Sequence, residues 1–438
     1  MPMQITIDEL KWFLIEYQGL GSLKKYERKS GVIDFMNQVG CIQYDPLNVV
    51  GRNSDLVLQS RVKDYDSSIL EELLYKDRTL VDGWDKQMSI YKASDWSKMK
   101  RVREAMALST ESTLKKRKSH DALKHIDAVK DALKETGPTR PSGIELGQVE
   151  RGVWGHGKIS SVVLDYLFHK GAVGIHSKSG TQKIYDFIEN LMQSDVIQSE
   201  EGFESEEAFM DWYVKRRIGS IGMYWAKRGD GWLGKYLSVK KKRTESINRL
   251  VEAGDLHEVE VESIDDKFYI RREDMPLLKS LIQSKSSHKP IRTNVAKNNT
   301  ENESGYDPDG NLIHRCNEEG PSEDSSVRFI APLDNLIWDR KLIKDVFNFD
   351  YVWEVYKPVS ERRFGYYVLP VLYENNFVGR FEPDHLRGGN VLRIKNWWWE
   401  EDTLVDDALR QTVVKGFEDF ARYLGVEKID ADFEQLLK

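Results

Sequence analysis

The sequence predicts an α+β fold: tandem winged-helix domains (helix-turn-helix plus β-hairpin) followed by a small β-barrel-like C-terminal domain. Three observations predict it. A helix–glycine–hairpin pattern occurs twice, short alternating strands fill the last hundred or so residues, and a Ser/Asn/Lys/Gly/Asp-rich stretch separates the two parts.

At 438 residues the chain is too long for one ordinary domain. Residues 1–95 are expected to form the first winged-helix-type domain, with helices over 7–17, 32–39 and 67–75 and a short strand ahead of Pro46. Residues 96–145 are a basic helical segment, closed by Gly137-Pro138 and Pro141.

The second winged helix is placed at 146–200. Its helix carries Val162, Val163, Tyr166 and Leu167, ends at Gly171, and leads into strands at 172–176 and 181–186 around a Ser-Lys-Ser-Gly turn. The third, at 201–282, repeats this order: Ile247, Leu250 and Val251 on a helix, Gly254 at its end, then strands at 256–262 and 267–272. A tyrosine, Tyr185 or Tyr269, sits late in the second strand of each.

Residues 283–326 have almost no large apolar side chains and are expected to be a disordered linker or insertion. The C-terminal domain, 327–438, is β-rich, with strands at 329–333, 366–373, 376–382 and 390–397. A final helix at 406–424 packs through Val413, Val414, Phe417, Phe420 and Tyr423.

Composition narrows the function. No apolar run reaches the length of a membrane span, and the start lacks a basic-then-apolar leader. Cys41 and Cys316 lie far apart and the nine histidines form no ligand-spaced cluster, so no metal or cofactor is expected and a reducing cytoplasm fits. The net charge of −7 speaks against nucleic acid only as a whole-chain sum. Residues 96–140 carry twelve Lys/Arg against six Asp/Glu, and a second basic cluster gathers Lys215-Arg216-Arg217, Arg228 and Lys240-Lys241-Lys242-Arg243. Such clusters are either a nucleic-acid footprint or solvated helix faces.

The chemistry-bearing motif is Cys41-Ile42-Gln43-Tyr44-Asp45-Pro46. Gln43 and Asp45 are two apart, hence on one side of a short strand that Pro46 stops. A carboxylate and a carboxamide facing the same way hold one water between them, the first as base and the second as orienter. The competing reading is an Asx-type turn, with Asp45 bonded to nearby backbone and Gln43 merely solvated.

Several stretches together resemble the YcaQ/AlkZ family of winged-helix DNA glycosylases. Gln43-Tyr44-Asp45-Pro46 is similar to the Gln-x-Asp-Pro form of the family's catalytic motif, used by its YcaQ-like branch; Leu47-Asn48-Val49-Val50, Arg52-Asn53-Ser54-Asp55, Leu58-Gln59-Ser60-Arg61 and Tyr65-Asp66 continue it. Further likeness lies in Trp154, Lys158, Gly171 and Gln182-Lys183-Ile184-Tyr185-Asp186, and in the C-terminal stretches 329–340, 347–356, 361–370 and 378–380. In one place the chain departs. Where many YcaQ-like members have a histidine after Trp84, this chain has Lys86.

The resemblance implies hydrolysis of the N-glycosidic bond of alkylated purines, of the 7-alkylguanine type, in double-stranded DNA, including crosslinked purines, by a monofunctional enzyme. It implies Gln43 and Asp45 as the catalytic pair, with Asp45 the base and Gln43 the holder of the water. A monomer in the cytoplasm, associated with the nucleoid when bound, is expected. Candidate DNA contacts are Arg52, Lys86, Lys158, Arg362 and Arg363. For Arg52 the alternative is an ion pair with Asp55 or Asp64. Lys86, as a phosphate contact or a site-lining residue, has two alternatives: a surface ion pair with Asp85, and the nucleophile of a rival β-elimination. Lys158 is at a helix start, and Arg362 and Arg363 are expected on a β-hairpin, or as a basic edge. Of Trp397-Trp398-Trp399, alternation would bury the outer two. Against the enzyme stand a non-enzymatic winged-helix DNA-binding regulator and a damage sensor; a regulator has no use for a Gln/Asp pair at a strand end.

Overall fold

Thr6 starts the first helix. Its hydroxyl accepts the Glu9 N–H while the Glu9 carboxylate accepts the Thr6 N–H, a capping box that launches Ile7–Tyr17 and turns Leu10, Phe13, Leu14 and Tyr17 into the core. The computed structural model describes residues 2–21, 23–146, 158–287, 305–306, 312–313, 327–384, 390–430 and 433–437. Trp154 and Cys316 lie outside them. Ser67–Tyr75 begins in the same way, at Asp66, whose carboxylate accepts the Ser68 N–H.

Between these helices runs the element that matters most for function. The Arg28–Val39 helix stops at Gly40, whose positive φ of 79° turns the chain into the strand Cys41–Gln43. That strand pairs antiparallel with Met88–Lys92, which pairs antiparallel with Leu80–Trp84. The resulting three-stranded sheet has Met88–Lys92 at its centre.

Both helix–glycine–hairpin units form. Ile159–Lys170 ends at Gly171 and leads to Val173–Ser179 and Gln182–Phe187; Lys240–Glu252 leads past Gly254 to Leu256–Val261 and Ile264–Arg271. They differ in their edges. The first hairpin is a two-stranded ribbon, whereas the second is the middle of a four-stranded sheet, flanked by Met3–Ile5, parallel to Leu256–Val261, and by Met223–Trp225. The first ribbon is also bridged at Tyr185 by Thr139, and Arg78 donates to its Ile175 and His176 oxygens.

The β-rich tail does not close into a barrel. Its sheet is open and four-stranded, in the order Val327–Phe329, Leu369–Tyr373, Asn376–Pro383, Ile394–Trp399. The helix Asp407–Tyr423 explains this: Phe417 and Phe420 pack onto Phe329 and Phe381 of the sheet, so one face is buried without closure. Trp397 is buried in that core, while Trp398 and Trp399 are half-buried. Within the stretch expected as a linker, Gly305–Tyr306 pairs with Leu312–Ile313. The latter pairs with Lys428–Ile429, which pairs with Val391–Leu392.

Two polar clasps join the C-terminal part to the motif. Arg61 and Asp334, both 0% exposed, make a bidentate pair at 2.8 and 2.7 Å. Asn335 Nδ2 donates to the backbone oxygens of Cys41 and Ser220, each at 3.0 Å. Removal of either partner of the first clasp would leave a buried charge alone.

Candidate active site

The hairpin Leu80–Trp84/Met88–Lys92 delivers its turn to the motif. Gln43 faces Ser89 in register, and the ladder runs on through the Tyr44 N–H to Met88 oxygen, at 2.9 Å. Asp85, Lys86 and Gln87 make the turn, so Lys86 arrives beside Gln43 and its Nζ donates to Gln43 Oε1 at 3.2 Å. Asn53 fixes the Gln43 backbone from the other side: its Nδ2 donates to the Gln43 oxygen at 2.8 Å, and its Oδ1 accepts the Leu333 N–H at 2.9 Å.

Lys86 is only 6% exposed and lies over the Trp338 ring, 5.2 Å from its centroid. No carboxylate among the described residues pairs with it. Burial, helped by the positive charges of Arg340 and Arg217, brings its ammonium down to about 7. The expected surface ion pair with Asp85 does not form, because Asp85 is taken. Its carboxylate accepts Arg217 Nη2 at 2.6 Å, Arg216 Nε at 3.1 Å and the Tyr213 hydroxyl at 3.0 Å. Burial alone would raise the Asp85 carboxyl, yet the two guanidiniums hold it at about 2. Arg216 and Arg217 are thus interior ion-pair partners and not part of a basic DNA-facing cluster; Arg243 is buried as well.

Asp45 stands differently. The strand ends at Gln43, so Asp45 lies in the turn beyond it, half-buried, where its Oδ1 accepts the Leu47 N–H at 2.9 Å. The Asx-type turn is real, and it occupies one oxygen only. Burial raises the Asp45 carboxyl above its ordinary value, opposed by the Leu47 N–H. Tyr44, between the two motif residues, carries Lys178 over its ring at 3.5 Å; Lys178 is itself paired with Asp82 at 2.6 Å. The first hairpin therefore packs against the motif.

The remaining predicted contacts scatter. Arg52 precedes the Asn53–Gln59 helix and pairs with Glu71 at 3.4 Å, not with Asp55 or Asp64; those take Tyr65 and Arg28. Lys158 is exposed just before Ile159–Lys170. Arg362 and Arg363 are not on a hairpin. They follow the short 3-10 turn Val359–Glu361 in a loop, with Arg362 half-buried and Arg363 exposed. The stem of this loop is joined to the site, since Arg340 lies over the Tyr351 ring at 4.6 Å and Trp338, two residues earlier, carries Lys86; burial first, and then the Asp45 charge, raises the Tyr356 phenol. Trp338, Asn53 and Lys178 are site-shaping residues that sequence reasoning missed. A signal existed for the arginine pair: Arg216 and Arg217 interrupt a helix of Phe209, Met210, Tyr213, Val214, Ile218 and Ile221, which forces burial and a counter-charge.

Among the described residues no group of three or more His, Cys, Asp or Glu is arranged to hold a metal ion. No described helix is long and apolar enough to cross a membrane. The family model for DNA glycosylase AlkZ-like proteins matches residues 36–423. Among solved structures, the Streptomyces sahachiroi DNA glycosylase AlkZ superposes with a TM-score of 0.58 at 14% identity, over 98% of this chain and 99% of that one. At that identity the likeness is one of fold. The match over most of the chain makes this protein a member of the AlkZ-like DNA glycosylase family, hydrolases of N-glycosidic bonds in DNA that serve repair.

Proposed function

We propose that the chain is a monofunctional DNA glycosylase that removes alkylated purines, of the 7-alkylguanine type, from double-stranded DNA. The observation that carries this reading is the site itself: a half-buried carboxylate with one oxygen uncommitted, two residues along the chain from a carboxamide anchored at both its backbone and its side chain. A 7-alkylguanine already bears a positive charge, so it departs without a general acid. What the enzyme supplies is a water and an anion facing the oxocarbenium-like sugar.

In this mechanism the bond from the sugar C1′ to the purine N9 breaks with its electrons leaving on the base. A water adds to C1′ and Asp45 takes its proton. Because Lys86 donates to Gln43 Oε1, Nε2 is the end of the amide left with protons to offer that water's oxygen. Lys86, buried and engaged by Gln43, supports positioning more than Schiff-base chemistry. We further infer a monomer that acts without a cofactor in the cytoplasm. Its first helix–hairpin unit works as a winged helix against the duplex, with Arg52, Lys158, Arg362 and Arg363 on phosphates. Crosslink unhooking fits an open site, since a base tethered to the opposite strand cannot enter a closed pocket.

The test is single-turnover base release from a duplex holding one 7-methylguanine, with wild type beside Asp45→Asn. The wild type is expected to leave an alkali-labile abasic site. The variant is expected to bind DNA equally while losing roughly 10³-fold or more in rate. Equal release by both removes Asp45 from the chemistry. Borohydride trapping of a wild-type protein–DNA adduct would replace hydrolysis by a lysine-driven elimination. Binding to damage without release by the wild type would favour the sensor reading.

A further inference from the structure

The segment running from Val352 to Arg363 carries two strongly exposed large apolar side chains. Tyr356 is 81% exposed and Val359 77%. Single exposed apolar residues are commonplace, but these two share a loop that is stiffly mounted. Glu354, buried beneath, accepts the N–H groups of Arg363 at 3.1 Å and Phe364 at 2.9 Å, and the Lys357 ammonium at 2.8 Å. These partners overcome burial and hold its carboxyl at about 2, so the latch stays charged at any physiological pH. Two 3-10 turns, Glu354–Tyr356 and Val359–Glu361, leave the loop little freedom, and Arg362 Nε ties it again through the Lys357 oxygen at 2.9 Å. Trp353 supports the Tyr356 ring edge-on at 5.8 Å.

Three features indicate what meets this tip. It is fastened by its own hydrogen bonds. It is flanked by Arg362 and exposed Arg363, whose charges suit a phosphate backbone. Its stem also adjoins the site, with Arg340 over the Tyr351 ring at 4.6 Å and Trp338 under Lys86 at 5.2 Å, and after burial it is the Asp45 charge that raises the Tyr356 phenol. A flat aromatic ring and a branched aliphatic group between cations, beside the reacting carboxylate, match stacked bases bounded by phosphates.

We propose that Tyr356 and Val359 form a wedge that enters the base stack of the bound duplex beside the lesion, holding the damaged nucleotide away from its neighbours and against Asp45. This rests on the reading of Asp45 as the reacting group. The wedge acts on the duplex rather than on the bond being broken, so it matters only where a stack exists to be opened.

The experiment uses the full chain and a duplex with 2-aminopurine next to an abasic-site analogue. Wild type and Tyr356→Phe are expected to unstack the probe and brighten it severalfold; the double variant Tyr356→Ser/Val359→Ser is expected to bind with little brightening. In single-turnover base release, the double variant should lose about tenfold or more on duplex DNA. On single-stranded DNA carrying the same lesion it should match the wild type. Both side chains are on the surface, and an unchanged single-strand rate also certifies folding. Equal brightening by wild type and double variant, or no brightening by the wild type, overturns the wedge. Brightening that depends on the two side chains, in a protein releasing no base from any substrate, keeps the wedge and overturns the glycosidic chemistry instead.

Discussion

Asp85 and Asp45 flank one small sheet and live in opposite surroundings. Asp85 is wholly enclosed and answered by Arg216, Arg217 and Tyr213, which hold its carboxyl at about 2. Asp45 meets a single backbone N–H, and burial pushes its carboxyl up. The lysines repeat the contrast. Lys178 is buried with Asp82 at 2.6 Å, whereas Lys86 is buried against an amide and an indole. Asp85 and Lys178 are each met by an opposite charge, and among the described residues Asp45 and Lys86 are not. Incomplete pairing is what leaves groups able to act on something brought from outside.

That contrast breaks most visibly at Asp85. Asp85→Asn keeps the shape but leaves two buried guanidiniums without a counter-charge, and urea unfolding should show a loss of about 4 kcal/mol. A loss near zero would mean that the arginines find other partners. Lys86→Met should do the reverse and stabilise. The folded ammonium is depressed to about 7 from an ordinary 10.5, so its penalty is fully present below 7 and fades as pH rises from 7 past 10.5. The gain should be about 5 kcal/mol at pH 6 and small at pH 10. A gain independent of pH would assign it to packing alone.

The same lysine sharpens the comparison in kinetics. Below about 7 its charge faces a cationic transition state, so base release by the wild type should rise as pH passes that value. Lys86→Met should flatten this inflection and leave only the acid limb of Asp45. The smallest effect is expected at the loop: Arg363→Ala should lower the slope of log K against log salt by about one, with little change in release at saturating enzyme.

Local signals were legible. Ile7–Tyr17 and Ser67–Tyr75 have the limits their caps at Thr6 and Asp66 dictate, and the glycines at 171 and 254 mark both helix–hairpin junctions. Gln43 and Asp45 were singled out by residue type and spacing. Long-range placement was not legible. Lys86 meets Gln43 only because a hairpin turn folds back in the register Gln43 opposite Ser89, and its low pKa needs Trp338, Arg340 and Arg217 from distant parts of the chain. The open C-terminal sheet was misread as barrel-like because strand alternation reports a buried face and not what covers it. The cluster around Arg216 and Arg217 failed for a similar reason, since a count of charges does not say which are inside.

The strand Met3–Ile5 completes a sheet whose neighbouring strand is Leu256–Val261, and the motif strand is clasped by Asn335. During synthesis the first strand therefore waits for some 250 further residues, roughly ten to fifty seconds at ordinary elongation rates. Through that interval the helix Ile7–Tyr17 holds Leu10, Phe13 and Leu14 ready for a core that is still unfinished. Nascent chains of this protein should lean on holding chaperones. The Gln43 strand should reach its working geometry only after residue 335 has left the ribosome, so truncated chains would be silent rather than weakly active.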